Sequence, residues 1–142
     1  MQNKHKFRIW DSQKKTMHYN DFVITSTGYV AKVETHMEAL GKFIIDQTNL
    51  ELDKKMIVMQ CSGRFDDKKQ LIYEGDIVNG HCGVYWGKML VVRDEEKAAF
   101  YFKKKKGELL PFIDELFVEI LGNKYENPEL NPENSEDPDE YI

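Results

Sequence analysis

Leu71-Ile72-Tyr73-Glu74-Gly75-Asp76-Ile77-Val78 is the stretch from which the fold of this chain is read. Glu74-Gly75-Asp76 makes a compact polar corner around the residue type that most easily takes positive φ. Apolar and aromatic residues flank it on both sides. The octapeptide therefore predicts one extended segment ending at Tyr73, a tight turn, and a strand starting at Ile77.

Downstream the same alternation of apolar runs and turn signals repeats. Ile77-Val78 leads to a turn around Asn79–Gly83 and then Val84–Trp86. Gly87-Lys88 reads as an interruption, after which Met89–Arg93 resumes. A charged turn at Asp94–Lys97 precedes Ala98–Lys103, Lys104–Gly107 turns again, and Leu109–Phe112 and Leu116–Leu121 close the set. Short strands at this spacing indicate a small antiparallel barrel or buckled sheet. One helical turn is expected near Pro111–Leu116.

Upstream, Met56–Cys61 is almost continuously apolar and reads as a strand buried on both faces, followed by a loop at Ser62–Gln70. Lys6–Trp10 alternates, Asp11–Lys15 is polar, and Thr16–Tyr19 returns, which makes a hairpin. Phe22–Thr25 is a further short strand. Tyr29–Asn49 stays open between a helix over Glu34–Leu40, stopped by Gly41, and strands at Tyr29–Val33 and Lys42–Ile45, because short apolar runs do not separate the two. The fold expectation is mainly β, with one or two short helices. A single domain over residues 1–126 is followed by an acidic, Pro-containing tail over 127–142.

Composition agrees with a globular protein: 41% of the 142 residues are hydrophobic, 32% charged and 12% aromatic. The net charge of −5 is unevenly placed. From Glu126 onward there are seven acidic residues and no Lys or Arg, so Met1–Tyr125 carries +2. Such a body has no strong basic field for tight nucleic-acid binding and no charge excess for a membrane surface. Cys61 and Cys82 form no C-x-x-C, and no apolar leader or membrane-length run is present. Reduced thiols and a cytoplasmic location are the expectation.

Three separated blocks together resemble the YopX family of bacteriophage and prophage proteins. They are Lys6-Phe7-Arg8-Ile9-Trp10-Asp11, then Met59-Gln60-Cys61-Ser62-Gly63 leading through Asp66-Asp67 to Ile72-Tyr73-Glu74-Gly75-Asp76-Ile77-Val78, and Val118-Glu119-Ile120-Leu121-Gly122-Asn123 running into Tyr125-Glu126-Asn127-Pro128-Glu129-Leu130. The resemblance spans Lys6–Leu130. Ile9 stands where the family usually has a small residue, and Ser62-Gly63 replaces a Thr-Gly pair. What the resemblance implies is a phage or prophage origin and a mainly β fold; it brings no catalytic residue, cofactor or ligand with it.

The motifs that bear on chemistry read as structure. Glu74 and Asp76 would need further converging oxygen ligands to hold a cation, whereas Asp76 at a turn commonly satisfies backbone amides. Acid-x-Lys pairs of the kind found in metal-dependent nucleases occur at Asp53/Lys55, Asp66/Lys68, Asp67/Lys69 and Glu95/Lys97. Roughly three such matches arise by chance in a chain of this composition, so four carry no signal. His81 and Cys82 are neighbours and face opposite ways on a strand, a poor zinc pair. Lys103–Lys106 with Gly107 reads as a solvated hairpin turn ahead of a phosphate contact. Trp10 and Trp86 read as core residues ahead of interaction anchors. No catalytic, metal-binding or cofactor-binding residue is assigned.

The expected role is therefore non-enzymatic: an accessory protein that acts by binding a protein partner or a second copy of itself as a homo-oligomer. A nucleic-acid-binding protein of phage replication or regulation is the alternative.

Overall fold

The structure, a computed structural model, describes residues 6–20, 22–24, 30–34, 44–51, 56–113 and 116–134. The fold is mainly β, built of antiparallel strands. In chain order these are β1 (Phe7–Asp11), β2 (Thr16–His18), β3 (Phe22–Ile24), β4 (Val30–Glu34), β5 (Ile44–Glu51), β6 (Met56–Phe65), β7 (Leu71–Tyr73), β8 (Asp76–Cys82), β9 (Tyr85–Asp94), β10 (Ala99–Lys103), β11 (Leu109–Pro111) and β12 (Leu116–Asn123). Among the described residues the only helical pieces are two 3-10 turns, Pro128–Leu130 and Pro132–Asn134. No helix among them is long and apolar enough to cross a membrane.

The chain divides into two compact units, one of residues 8–58 and one of residues 59–142 together with residues 1–7. In the first, β1 and β2 form the expected hairpin, with Ile9 opposite His18 and Asp11 opposite Thr16. Its turn is closed by Asp11, whose Oδ1 accepts from the amides of Gln13 and Lys14, both at 3.0 Å. Arg8, Ile9, Trp10 and Asp11 are all buried, so the Phe7/Ile9 alternation does not set the burial of this strand. The open region resolves toward strands: β3, β4 and β5 form a three-stranded antiparallel sheet. The helix considered over Glu34–Leu40 falls, after Glu34, outside the described residues.

In the second unit, β11, β10, β9, β8 and β12 make a five-stranded sheet in that order. Its core is Ile72, Val78, Cys82, Met89, Val91, Phe102 and Val118, with Phe112 stacked on Phe102 at 4.1 Å between ring centroids. Two expected breaks do not occur. β8 runs through Asn79–Gly83 as far as Cys82, and β9 runs through Gly87-Lys88 without interruption. Gly80 is needed for close approach between strands: it has φ +152, and a Cβ there would lie 1.9 Å from the Phe117 carbonyl oxygen. β6 likewise extends to Phe65, so the loop is shorter than Ser62–Gln70. Within β6 only Met59 and Cys61 are fully buried, so the strand is not uniformly buried on both faces. Near Pro111, β11 replaces the first part of the anticipated helical turn, and residues 114–115 lie outside the described set.

The deciding octapeptide folds as its composition dictates. β7 ends at Tyr73, Gly75 has φ +87, and β8 begins at Asp76, one residue earlier than expected. The turn is tied on three sides. Glu74 N donates to Gln60 O at 3.0 Å, Gly75 N to Val91 O at 2.8 Å, and Lys124 N to Gly75 O at 2.9 Å. One corner therefore joins β6, β9 and the exit of β12.

Candidate functional site

The acidic residues singled out in the sequence are engaged with backbone. Asp76 is buried, and its Oδ2 accepts from the Tyr73 amide at 2.8 Å. This is the turn-closing role expected of it. Asp66, also buried, is spent more fully: Oδ1 accepts from the amides of Lys68 at 3.0 Å and Gln70 at 2.8 Å, and Oδ2 from Ile120 at 3.1 Å. Asp67 N donates to Val118 O at 2.9 Å. The 66–70 turn thus satisfies outward-pointing groups of β12 that would otherwise offer an open strand edge. Lys68 pairs with Glu119 at 2.5 Å, and that hydrogen bond and charge raise its ammonium pKa. No group of three or more His, Cys, Asp or Glu among the described residues is arranged to hold a metal.

Cys61 and Cys82 are both buried thiols. Cys82 Sγ donates to Pro111 O at 3.4 Å, and burial pushes its pKa up, away from nucleophilic character. The basic run sits where expected, at the β10–β11 turn with Gly107 at φ +89. Two of its lysines already have acidic partners: Lys103 meets Glu133 at 2.5 Å and Lys104 meets Glu108 at 3.0 Å. Lys104 also lies 4.5 Å from the centroid of the Tyr85 ring.

A polar recess of about 200 Å³ lies beside the Glu74-Gly75 turn, bordered by Glu74, Arg93, Glu95, Lys124 and Tyr125. It is smaller than the ~300–1,000 Å³ of ordinary ligand sites. Two acids and two bases leave it without net charge.

The stronger feature is the face of the five-stranded sheet turned away from its core. On β8, Val78, Gly80 and Cys82 alternate with Ile77, Asn79 and His81, and Val78 and Cys82 belong to the core. Cross-strand register then fixes what shares the opposite face. Trp86 of β9 and Phe117 of β12 flank His81, forming an aromatic row across three strands. In the next row on this face Lys88 and Glu119 flank Asn79, and further along Ile77 lies opposite Leu90.

The two ends of this face differ. At the Ile77–Leu90 end both residues are buried, and the chain after β12 folds back nearby. Asn123 Oδ1 accepts from the amides of Tyr125 at 3.1 Å and Glu126 at 2.9 Å, which reverses the chain. Pro128–Leu130 then lies against β12 and Pro132–Asn134 against β9, with Asn131 and Pro132 buried. At the other end the aromatic row is open: Phe117 is 62% exposed, Trp86 40%, and Val84 at the hairpin tip 97%. His81 and Trp86 meet edge to face with centroids 3.9 Å apart. A recess of about 310 Å³ lined by His81, Gly83, Ile113 and Phe117 adjoins the row.

Trp10 is a core residue as expected, and Trp86 is not. The sequence does not mark Phe117 as an outward residue, since Leu116 and Val118 on either side are equally apolar. Only the pairing of β12 with β8 sets it beside His81.

A model of the YopX protein family matches residues 6–130. The chain belongs to the YopX family. Two solved structures share the fold. Protein yopX from Bacillus subtilis has a TM-score of 0.58 at 19% identity, covering 89% of this chain and 98% of that one. Protein EF1440 from Enterococcus faecalis has a TM-score of 0.57 at 20% identity, covering 88% of this chain and 96% of that one. No curated protein matches this chain. The YopX blocks at Ile72–Val78 and Val118–Leu130 meet in space through the Gly75–Lys124 hydrogen bond, so the family resemblance is carried by the framework of the sheet.

Proposed function

We propose that this chain is a phage or prophage accessory protein of the host cytoplasm that acts by binding, without catalysis or a cofactor. Its contact surface is the open end of the outer sheet face. The carrying observation is the row of Trp86, His81 and Phe117, contiguous across three strands and left uncovered where the other end of the face is buried. Exposed apolar patches of this kind mark interaction sites, and aromatic anchors contribute most of the energy at such sites. The buried acidic residues support the same reading, since Asp66 and Asp76 are committed to backbone amides.

Nucleic acid is the alternative occupant, because rings on a sheet face can stack bases. Lys103 and Lys104, matched to Glu133 and Glu108, weigh against it. The test is affinity capture from prophage-bearing cells with the wild type and Phe117→Glu side by side, with and without nuclease. The proposal expects a partner that survives nuclease and is lost from the variant while its melting temperature is kept. Equal capture by both proteins overturns it.

A further inference from the structure

We infer that the occupant of this face is a second copy of the chain, packed face to face about a two-fold axis running along β8. The inference rests on the reading of the outer face as the binding surface and adds the identity of the partner. Its basis is the arrangement of the two open rows. β8 is the middle strand, with β9 on one side and β12 on the other. Trp86 and Phe117 stand at equal distance on either side of His81, and Lys88 and Glu119 on either side of Asn79.

A two-fold axis along β8 exchanges left and right while keeping position along the strand. It sets β9 of one copy over β12 of the other. Trp86 then meets Phe117 of the second copy, twice over, and Lys88 meets Glu119, also twice. Self-complementarity of this kind is what an isologous interface requires. Aromatic faces aromatic and cation faces anion, with no like charges opposed outside the axis. The recess beside Phe117 lies where the Trp86 ring of the second copy arrives, and it offers apolar walls from Ile113 and Phe117. Glu119 already holds Lys68, so each crossing would build a three-charge Lys68–Glu119–Lys88 network. The opposite choice of axis, across the strands, would lay Lys88 over another row and lose both matches.

The patch is small. Three strands at ~4.8 Å spacing and four residues at ~3.3 Å rise give a footprint of roughly 14 Å by 13 Å. That is roughly 180 Å² per copy, well below the ~800 Å² per partner of a standard interface, so the dimer is weak and transient, with a Kd in the high micromolar range.

Sedimentation velocity between about 5 and 500 µM tests this directly. The wild type is expected to pass from monomer to dimer across the range. Phe117→Glu should weaken association at least about tenfold, as removal of a central anchor does. Lys88→Glu and Glu119→Lys should each do the same, because each opposes like charges across the axis. Mixing those two variants should restore a dimer, since the acid introduced at position 88 of one copy then meets the lysine introduced at 119 of the other, and the unchanged Glu119 meets the unchanged Lys88. Both charge changes are on the exposed face, and a near-ultraviolet dichroism spectrum like the wild type's confirms that each variant is folded. A wild type that stays monomeric, a dimer indifferent to Phe117→Glu, or a mixture no more associated than its components overturns the inference. A monomeric wild type whose captured partner is still lost in Phe117→Glu rejects the second copy alone; capture unaffected by Phe117→Glu rejects the binding face as well.

Discussion

Replacing Asp66 by Ala removes the acceptor of three backbone amides at once, those of Lys68, Gln70 and Ile120. Hydrogen bonds to a charged group contribute roughly 1.5–3 kcal/mol each. Lys68 and Gln70 are exposed, so water recovers much of their share. Ile120 is half-buried beside the irregularity in β12 and recovers less. The net loss is therefore about 3–4 kcal/mol, a large part of the ~5–15 kcal/mol that stabilises a domain. With a urea m-value of about 2 kcal/mol/M the unfolding midpoint falls by roughly 1.5–2 M. Asp66→Asn keeps one acceptor oxygen and should fall between wild type and Ala. Lys68→Ala is the contrasting control: it removes an exposed ion pair, worth little, and leaves the Asp66 acceptors in place. A shift below about 0.5 kcal/mol for Asp66→Ala, the size of an ordinary surface change, would refute the assignment of this carboxylate as the tie between the 66–70 turn and β12.

Three further outcomes follow from the same structure. Gly80→Ala forces a Cβ onto the Phe117 carbonyl at a positive φ, so it should destabilise by at least about 2 kcal/mol in urea unfolding. Cys61 and Cys82 should resist iodoacetamide in the native protein and react on unfolding, because both are buried and burial raises the Cys82 pKa; at pH 8 the native protein should show little thiolate from Cys82. Glu133→Gln should change thermal stability by less than about 1 kcal/mol, since the Lys103 contact is partly exposed, while raising low-salt affinity for a polyanion such as heparin.

Much of the sheet was legible because turn chemistry is local. Glu74-Gly75-Asp76, the Asp11–Lys15 turn and the Lys104–Gly107 turn each carry their own reason to bend, and each bends. Glycine was the ambiguous signal. Gly75 and Gly107 make turns, whereas Gly80 and Gly87 sit inside strands at φ +152 and +149, where a side chain would strike Phe117 or Tyr85. Nothing adjacent in the chain distinguishes the two uses. In the sequence Asp66 is half of a common acid-x-Lys pair and a member of a YopX block, and neither says what it holds, because the residue that explains it, Ile120, is 54 positions away. The aromatic row was illegible for a related reason. Alternation gives the side on which Trp86 falls, but only strand register sets it level with His81 and Phe117. Tyr29–Asn49 stayed open in the sequence since its short runs suit helix and strand alike; the pairing of β4 with β5 decided for strands where it is described.

The most direct test of binding through the outer face is side-chain oxidation footprinting of the protein alone, dilute, and again when it is held by its partner or at high concentration. The account predicts that labelling of Trp86, His81 and Phe117 falls together on association. Unchanged labelling of all three in a sample shown to be associated would contradict it.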